Sequence, residues 1–225
     1  MIDRGEAMKV HARPSGEVST SRLETLTDGI FAIAMTLLVF GLPFPDPNNF
    51  SSWLGKFWPS LLTFAISFVI AGVFWVATHT EFQSIRRADH VLIWLNIFFL
   101  LFIVLVPFSA NLLGKFYYNQ IAVIIYGVNL LLCLSMHYGM WWHATKDYHL
   151  VDADLDPRIV TLGTRLALFS MIMYIAAIVL SFLSTWISII LYTVTPVPYI
   201  LGLFYRPLWK LRRGVAVGQD EESSV

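Results

Sequence analysis

The sequence contains little charge. Asp, Glu, Lys and Arg make up 13% of its 225 residues, and 15 acidic residues balance 15 basic ones, whereas about 25% of a typical soluble domain is charged. An ordinary soluble surface is therefore excluded. The zero net charge and the lack of a Lys/Arg-rich run interleaved with aromatics also exclude the electrostatic field that nucleic-acid binding requires.

Cysteine is nearly absent. Because Cys133 is the only one, no disulfide can form within the chain and no zinc site can be built from cysteines. The segment up to Ser21 is polar and lacks the apolar core of a secretory signal, so we expect the first spanning helix to direct membrane insertion itself.

Apolar residues dominate instead, with 57% hydrophobic and 15% aromatic residues. They fall in runs of about twenty, the length that a helix rising about 1.5 Å per residue needs to cross about 30 Å of hydrocarbon. Six spans are predicted, at roughly 21–42, 54–78, 90–113, 117–142, 159–181 and 185–204. The predicted fold is an all-α membrane protein with six transmembrane helices, in which Pro196 and Pro198 kink the last helix rather than end it.

The basic residues give an independent test of this count, because cytoplasmic flanks hold an excess of Lys and Arg. Thirteen of the 15 fall at the termini and in the even-numbered loops: Arg4, Lys9, Arg13, Arg22, Arg86, Arg87, Lys146, Arg158, Arg165, Arg206, Lys210, Arg212 and Arg213. Only Lys56 and Lys115 fall on the opposite side. This distribution predicts both termini in the cytoplasm, since five or seven spans would place one terminal cluster outside.

Three regions follow along the chain. Residues 18–206 are predicted to form the six-helix transmembrane domain, between a polar N-terminal tail at 1–17 and a polar C-terminal tail at 207–225. Polar tails of this kind need no fixed structure. Function is therefore expected in what the spans carry.

The first span has two different faces. At helical spacing an apolar stripe is formed by Leu26, Gly29, Ile33, Leu37 and Phe40, with Arg22 at its cytoplasmic end. Asp28 is the charge within this otherwise uncharged stretch, and it points about 140° away from Ile33 at about 100° per residue. An intramembrane carboxylate is costly enough to indicate a functional site.

Each face has more than one interpretation from the residues alone. The stripe suits lipid contact or ordinary helix packing as well as a functional surface. Asp28 suits a structural carboxylate, paired with Arg22 or with a histidine, as well as an ion ligand. His79 closes the second span and Asn96 lies near the inner end of the third. We predict that Arg22, Asp28, His79 and Asn96 form a buried hydrogen-bond network in the cytoplasmic half of the membrane.

The same residues carry a resemblance to a known family. The first helix of endosomal and lysosomal potassium channels has the signature Arg, three variable positions, then Phe-Ser-Asp. Arg22 and Asp28 match it in register, while Leu26 and Thr27 stand in place of Phe and Ser. The stretches 75–82 and 95–108 also resemble the family. In length the chain is similar to the single-repeat prokaryotic homologues.

The resemblance implies a pore lined by the first helix of each repeat, without the carbonyl filter of ordinary potassium channels; no Thr-Val-Gly-Tyr-Gly stretch occurs here. By position Ile33 would be the main constriction, with Leu37 and Phe40 one and two turns outward and Thr36 as a supporting threonine. The family more usually has a smaller aliphatic residue at the position of Phe40. Arg22, Asp28, His79 and Asn96 would tie the pore helix to its own and neighbouring subunits.

The resemblance also implies an assembly and a function. Four copies of a single repeat would surround one pore, giving a homotetramer. We expect a passive, potassium-permeable cation channel that prefers potassium to sodium only modestly, with the bilayer and monovalent cations as its other partners. Neither enzymatic activity nor a cofactor is expected, apart from K⁺ as the permeant ion. The expected location is the membrane, and the cell membrane if the source is prokaryotic.

Two other classes of function compete with this expectation. Asp28 and His79 could bind a coupling ion in a proton- or ion-coupled secondary transporter. Two of the histidines His79, His137 and His143 could hold a haem between helices. In the fourth loop, Asp147, Asp152, Asp154 and Asp156 lack the glycine and final glutamate of a calcium-binding EF-hand, so a solvated acidic loop is the better interpretation.

Overall fold

The structure, a computed structural model, describes residues 20–45, 50–152 and 154–201, and helices are the main regular element in that part of the chain. In chain order they are α1 Thr20–Leu37, α2 Phe50–Phe82, α3 His90–Lys115, α4 Gln120–Thr145, α5 Pro157–Leu180, α6 Thr185–Val194 and α7 Val197–Ile200. Short 3₁₀ segments, Leu38–Gly41 and Lys146–Tyr148, extend α1 and α4.

The first five predicted spans coincide with helices that are long and apolar enough to cross a membrane. The sixth does not reach that length within the described residues, because the apolar stretch is limited to Thr185–Ile200. It is interrupted after Val194 and resumes at Val197, with Pro196 between them at helical angles (φ −76°, ψ −17°). The prolines were predicted to kink the last helix rather than end it, whereas the structure divides it into two helices at Pro196. Proline lacks the amide hydrogen and its ring clashes with the preceding turn. Both predicted polar tails lie outside the described residues.

Short polar residues set where the helices begin. Asp89 caps α3 by accepting the Leu92 amide at 2.8 Å, and Asn119 caps α4 by accepting the Ile121 amide at 2.9 Å. Asp156 precedes α5. These side-chain oxygens replace the backbone acceptors that the first turn of a helix lacks.

The core lies around α3 and α4. Helix α3 packs against α1, α2 and α4, and α4 packs in turn against α5 and α6. Their shared interior is apolar, and polar groups inside it are bonded to one another: Ser67 Oγ lies 2.9 Å from the Tyr126 hydroxyl, and Asn129 Nδ2 donates to Ser109 Oγ at 3.1 Å. Such pairing is needed where no water reaches the helices.

The two loops that flank α3 and α4 at one end of the bundle are bonded together. We call this the inner end, because the charge distribution predicts that it faces the cytoplasm. Ile85 and Val151 form an isolated antiparallel bridge, the Arg86 amide donates to the Leu150 carbonyl at 2.8 Å, and Arg86 Nε lies 2.8 Å from Asp152 Oδ2. These contacts thus join the inner ends of α2, α3, α4 and α5.

Candidate pore helix

Helix α1 separates a packed face from an open one. Its buried side chains pack against the core and are Leu23, Thr27, Phe31 and Ala34, followed by Leu38 in the 3₁₀ segment. The predicted apolar stripe faces the other way: Leu26 is 47%, Ile33 57%, Leu37 39% and Phe40 72% exposed. Within the part of the chain that the structure describes, the stripe is therefore uncovered over its whole length.

The outer end of the stripe departs from α-helical geometry. Phe40 lies in the 3₁₀ segment Leu38–Gly41 rather than in α1. A 3₁₀ helix has about 3.0 residues per turn, so the Phe40 side chain does not point where α-helical spacing would place it. Thr36 is exposed, and its hydroxyl donates to the Ile33 carbonyl at 2.8 Å. The structure thus bonds the predicted supporting threonine to the backbone of the predicted constriction residue.

A buried polar contact anchors the inner half of α1. Asn96 Nδ2 of α3 donates to Thr27 Oγ1 at 3.2 Å, and both residues are almost completely buried. Asn96 was predicted from the sequence as part of a network, whereas its partner Thr27 was not. The contact ties α1 to the central helix α3.

Asp28 and His79 have separate partners on the facing sides of α1 and α2. Trp75 Nε1 donates to Asp28 Oδ1 at 2.8 Å, and His79 Nδ1 lies 3.1 Å from Glu24 Oε1. The Trp75 and His79 rings stack with centroids 5.7 Å apart. Glu24 lies four residues before Asp28, and Trp75 lies four residues before His79. Residues at this spacing share a helix face, which is the signal by which the sequence could have identified them.

Within one chain the four predicted network residues do not form a single buried network. Arg22 and Asp28 are exposed, and Arg22 makes no ion pair with any described residue. The physical reason is that, among the described residues, only the edge of α2 reaches this side of α1, through Trp75. Any role of Arg22 in joining α1 to its surroundings thus depends on groups outside the described chain.

The other two histidines considered as haem ligands also face carboxylates. His137 is buried between the Phe74 and Phe99 rings, and its Nε2 lies 3.4 Å from Glu81 Oε2. His143 Nε2 lies 2.8 Å from Asp89 Oδ2 at the inner end. His79 likewise lies beside Glu24. Each of the three histidines therefore has its own acidic partner, which their order in the sequence does not reveal.

The Asp89 carboxyl lies outside the spanning helices. Burial raises its pKa, but the Leu92 amide and the His143 and His149 rings lower it, so that the pKa lies below its ordinary value. Hydrogen bonds to the charged form and nearby imidazoles favour ionisation. The inner end therefore carries a fixed negative charge at the start of α3.

Comparison with known proteins adds independent information. Residues 22–107 match the family model described as endosomal/lysosomal potassium channel TMEM175. A potassium channel of Chamaesiphon minutus is 32% identical over 178 residues, which are 76% of this chain and 88% of that protein. A potassium channel of Streptomyces collinus is 31% identical over 144 residues, covering 61% of this chain and 70% of the other.

A solved structure agrees with these relatives. The crystal structure of a lysosomal potassium-selective channel TMEM175 homologue from Chamaesiphon minutus superimposes with a TM-score of 0.72 at 31% identity, over 81% of this chain and 96% of that one. The match extends well beyond the segment covered by the family model. With its apolar helices, the chain is an integral multi-pass membrane protein, and it belongs to the endosomal/lysosomal potassium channel TMEM175 family.

Proposed function

We propose that the chain is one subunit of a potassium-permeable cation channel, in which four copies place the exposed face of α1 around a central pore. The observation that carries this proposal is the uncovered stripe on α1, because the opposite face of the same helix is packed into the core. The relatives named potassium channels support the permeant ion. Cyclic repetition of one surface closes an assembly around its axis.

The constriction in this proposal is apolar. A ring of four Ile33 side chains, followed outward by Leu37 and Phe40, offers an ion no dipoles to replace its hydration shell, so a narrow ring opposes passage until it wets. Differences in the cost of partial dehydration then favour potassium over sodium only modestly. The Thr36 hydroxyl, bonded to the Ile33 carbonyl at 2.8 Å, supports the turn that carries the constriction.

The polar groups at the inner end of α1 serve assembly. Asp28, held by Trp75, and His79, beside Glu24, fix α1 against α2. Arg22 is exposed at the start of the same helix and is free to reach a neighbouring subunit. Together with Thr27 and Asn96, these groups set the rotation of α1 and hence which side chains face the pore.

Conduction is tested with the purified protein in planar bilayers under potassium/sodium bi-ionic conditions. We expect single-channel currents whose reversal potential has the sign of a preference for potassium, corresponding to a modest potassium/sodium permeability ratio. The currents should need no pH or sodium gradient. Potassium flux into liposomes that requires such a gradient would instead support the alternative, an ion-coupled transporter that uses Asp28 and His79.

The position of the constriction is tested by Ile33→Asn. A polar side chain wets the narrowest ring, so we expect unitary conductance to rise severalfold and potassium selectivity to fall. The matched control is Ile172→Asn on α5, whose side chain is 61% exposed, close to the exposure of Ile33. Unchanged conductance in Ile33→Asn channels, or an equal change in the control, would show that the constriction lies elsewhere.

A further inference from the structure

Three side chains from separate segments converge at the inner end of the bundle. Asp89 caps α3, His143 lies in the last turn of α4, and His149 follows the 3₁₀ segment after α4. Asp89 Oδ2 lies 2.8 Å from His143 Nε2 and 3.7 Å from His149 Nε2. One ligand atom from each residue falls within 4.8 Å of the others. The contact between Asp89 and His143 joins positions 54 residues apart.

In Asp89 and His149, the side-chain oxygen or nitrogen that does not face the cluster is already hydrogen-bonded to the backbone. Asp89 Oδ1 accepts the Leu92 amide at 2.8 Å, which leaves Oδ2 for other partners. His149 Nδ1 lies 2.9 Å from the Lys146 carbonyl. A carbonyl can only accept, so Nδ1 carries the proton and Nε2 presents its lone pair in the neutral ring. Metal-binding histidines are usually oriented in this way, by donation from the other ring nitrogen to a carbonyl.

The backbone bends sharply to bring His149 to this place. Asp147 and Tyr148 both adopt left-handed conformations, with φ of 53° and 54°, which non-glycine residues rarely adopt. The bend turns the chain back so that the His143 and His149 rings meet at 84° with centroids 5.0 Å apart. The Lys146 ammonium, close in sequence to both histidines, lies over the Trp142 ring, 5.3 Å from its centroid, so it has a partner outside the cluster.

We propose that Asp89, His143 and His149 bind one divalent transition-metal ion of the Zn²⁺ type, with water as the fourth ligand. Tetrahedral Zn²⁺ holds nitrogen and oxygen ligands at about 2.0–2.2 Å, which places the ligand atoms about 3.3 Å apart. The observed 2.8 Å and 3.7 Å lie on either side of this spacing. Partial exposure of Asp89 and His149, at 36% and 41% of their side chains, leaves room for water.

The ion would cross-link the segments at the inner end of the bundle. It takes the place of the hydrogen bond between His143 Nε2 and Asp89 Oδ2, and the neutral His143 ring then carries its one proton on Nδ1. The start of α3, the end of α4 and the following loop are then joined at one point. Because the Leu150 carbonyl accepts the Arg86 amide at 2.8 Å, the connection between α2 and α3 is held as well. None of the three ligands lies on α1, which carries the proposed pore face.

The test uses the full chain, purified in detergent and stripped of metal with a chelator. Co²⁺ is titrated as a spectroscopic substitute for Zn²⁺, and the visible ligand-field bands report tetrahedral coordination. We expect saturation at one ion per chain and displacement by Zn²⁺. His149→Ala should weaken binding by about 100-fold or more, since losing even an outer partner of a ligand costs 10–100-fold. The control is His90→Ala, because the His90 ring stacks on Trp94 instead.

A second variant separates the metal ligand from the helix cap. Asn caps helices as well as Asp does, so Asp89→Asn should keep the cap and fold. It should lose the Zn²⁺-induced rise in melting temperature, measured against its own melting temperature in chelator. Absence of saturable Co²⁺ binding to the wild type would overturn the proposal. So would equal binding by His149→Ala, or an undiminished Zn²⁺-induced rise in Asp89→Asn, because either result would place the ion elsewhere.

Discussion

Among single residues, the contact between Thr27 and Asn96 decides how α1 sits on α3. Both side chains are almost completely buried, and the hydroxyl and the amide are 3.2 Å apart. Hydrogen bonds between membrane helices contribute about 0.6 kcal/mol on average and up to about 1.7 kcal/mol. A buried amide left without a partner costs more, about 1–3 kcal/mol. The contact therefore stabilises one rotation of α1 over others.

Thr27→Val should accordingly destabilise the chain by about 1–2 kcal/mol, because it leaves the Asn96 amide unpaired. The change is measured by denaturant unfolding in mixed micelles. Thr25→Val is the matched control: Thr25 is exposed and its hydroxyl bonds only the Ser21 carbonyl of its own helix, at 2.8 Å. If both variants lose equal stability, the contact between helices contributes nothing specific.

Among the helices, the short α6 joins the bundle through a buried aromatic side chain, Tyr192. Tyr192 is buried among the Tyr126 and Tyr174 rings, and its hydroxyl donates to the Val123 carbonyl of α4 at 3.1 Å. This approach requires a glycine on α4. A Cβ at Gly127 would overlap the Tyr192 hydroxyl and lie 2.7 Å from Ile178 Cγ1. The short helix thus joins the bundle although it is shorter than the five candidate membrane spans.

Gly127→Ala should destabilise the protein by about 1–3 kcal/mol through overpacking, measured as a lower midpoint of thermal unfolding. Gly55→Ala is the control, because no atom lies within 4 Å of a Cβ at that position. Adding Tyr192→Phe to Gly127→Ala removes the overlapping hydroxyl and should recover part of the loss. No recovery would mean that Tyr192 is not the obstructing group.

In the whole molecule, the proposed assembly rests on the surface that the described residues leave open. The exposed side of α1 combines the apolar stripe with Arg22 and Asp28. In the proposed tetramer the same helix would then offer both a pore face and charged groups for neighbouring subunits. An exposed carboxylate in a spanning helix is costly in lipid. Burial of this side between subunits relieves that cost, which favours assembly over a monomer.

Asp28→Asn should reduce the fraction of tetramer severalfold while leaving the fold of each chain intact. Its amide oxygen can still accept from Trp75 Nε1, which lies 2.8 Å from the carboxylate in the structure, so only the charge is lost. Native mass spectrometry in detergent measures the assembly state. Trp75→Phe provides the converse control, removing the donor but keeping the charge. An undiminished fraction of tetramer in Asp28→Asn would show that the charge does not drive assembly.

The sequence by itself determined the membrane class, the first five helices and the two faces of α1, because each depends on local periodicity and on the thickness of hydrocarbon. It also identified the family through Arg22 and Asp28. The length of the helix at the predicted sixth span could not be predicted from periodicity, because it depends on how a segment interrupted by proline packs against the other helices.

Only the tertiary structure decided which side chains meet. It paired Asp28 with Trp75 across 47 residues, Thr27 with Asn96 across 69, and Asp89 with His143 across 54. Such contacts depend on the rotation and crossing of packed helices and on a left-handed bend at Asp147 and Tyr148. Those quantities arise from side-chain packing between distant segments, and local sequence pattern carries no record of them.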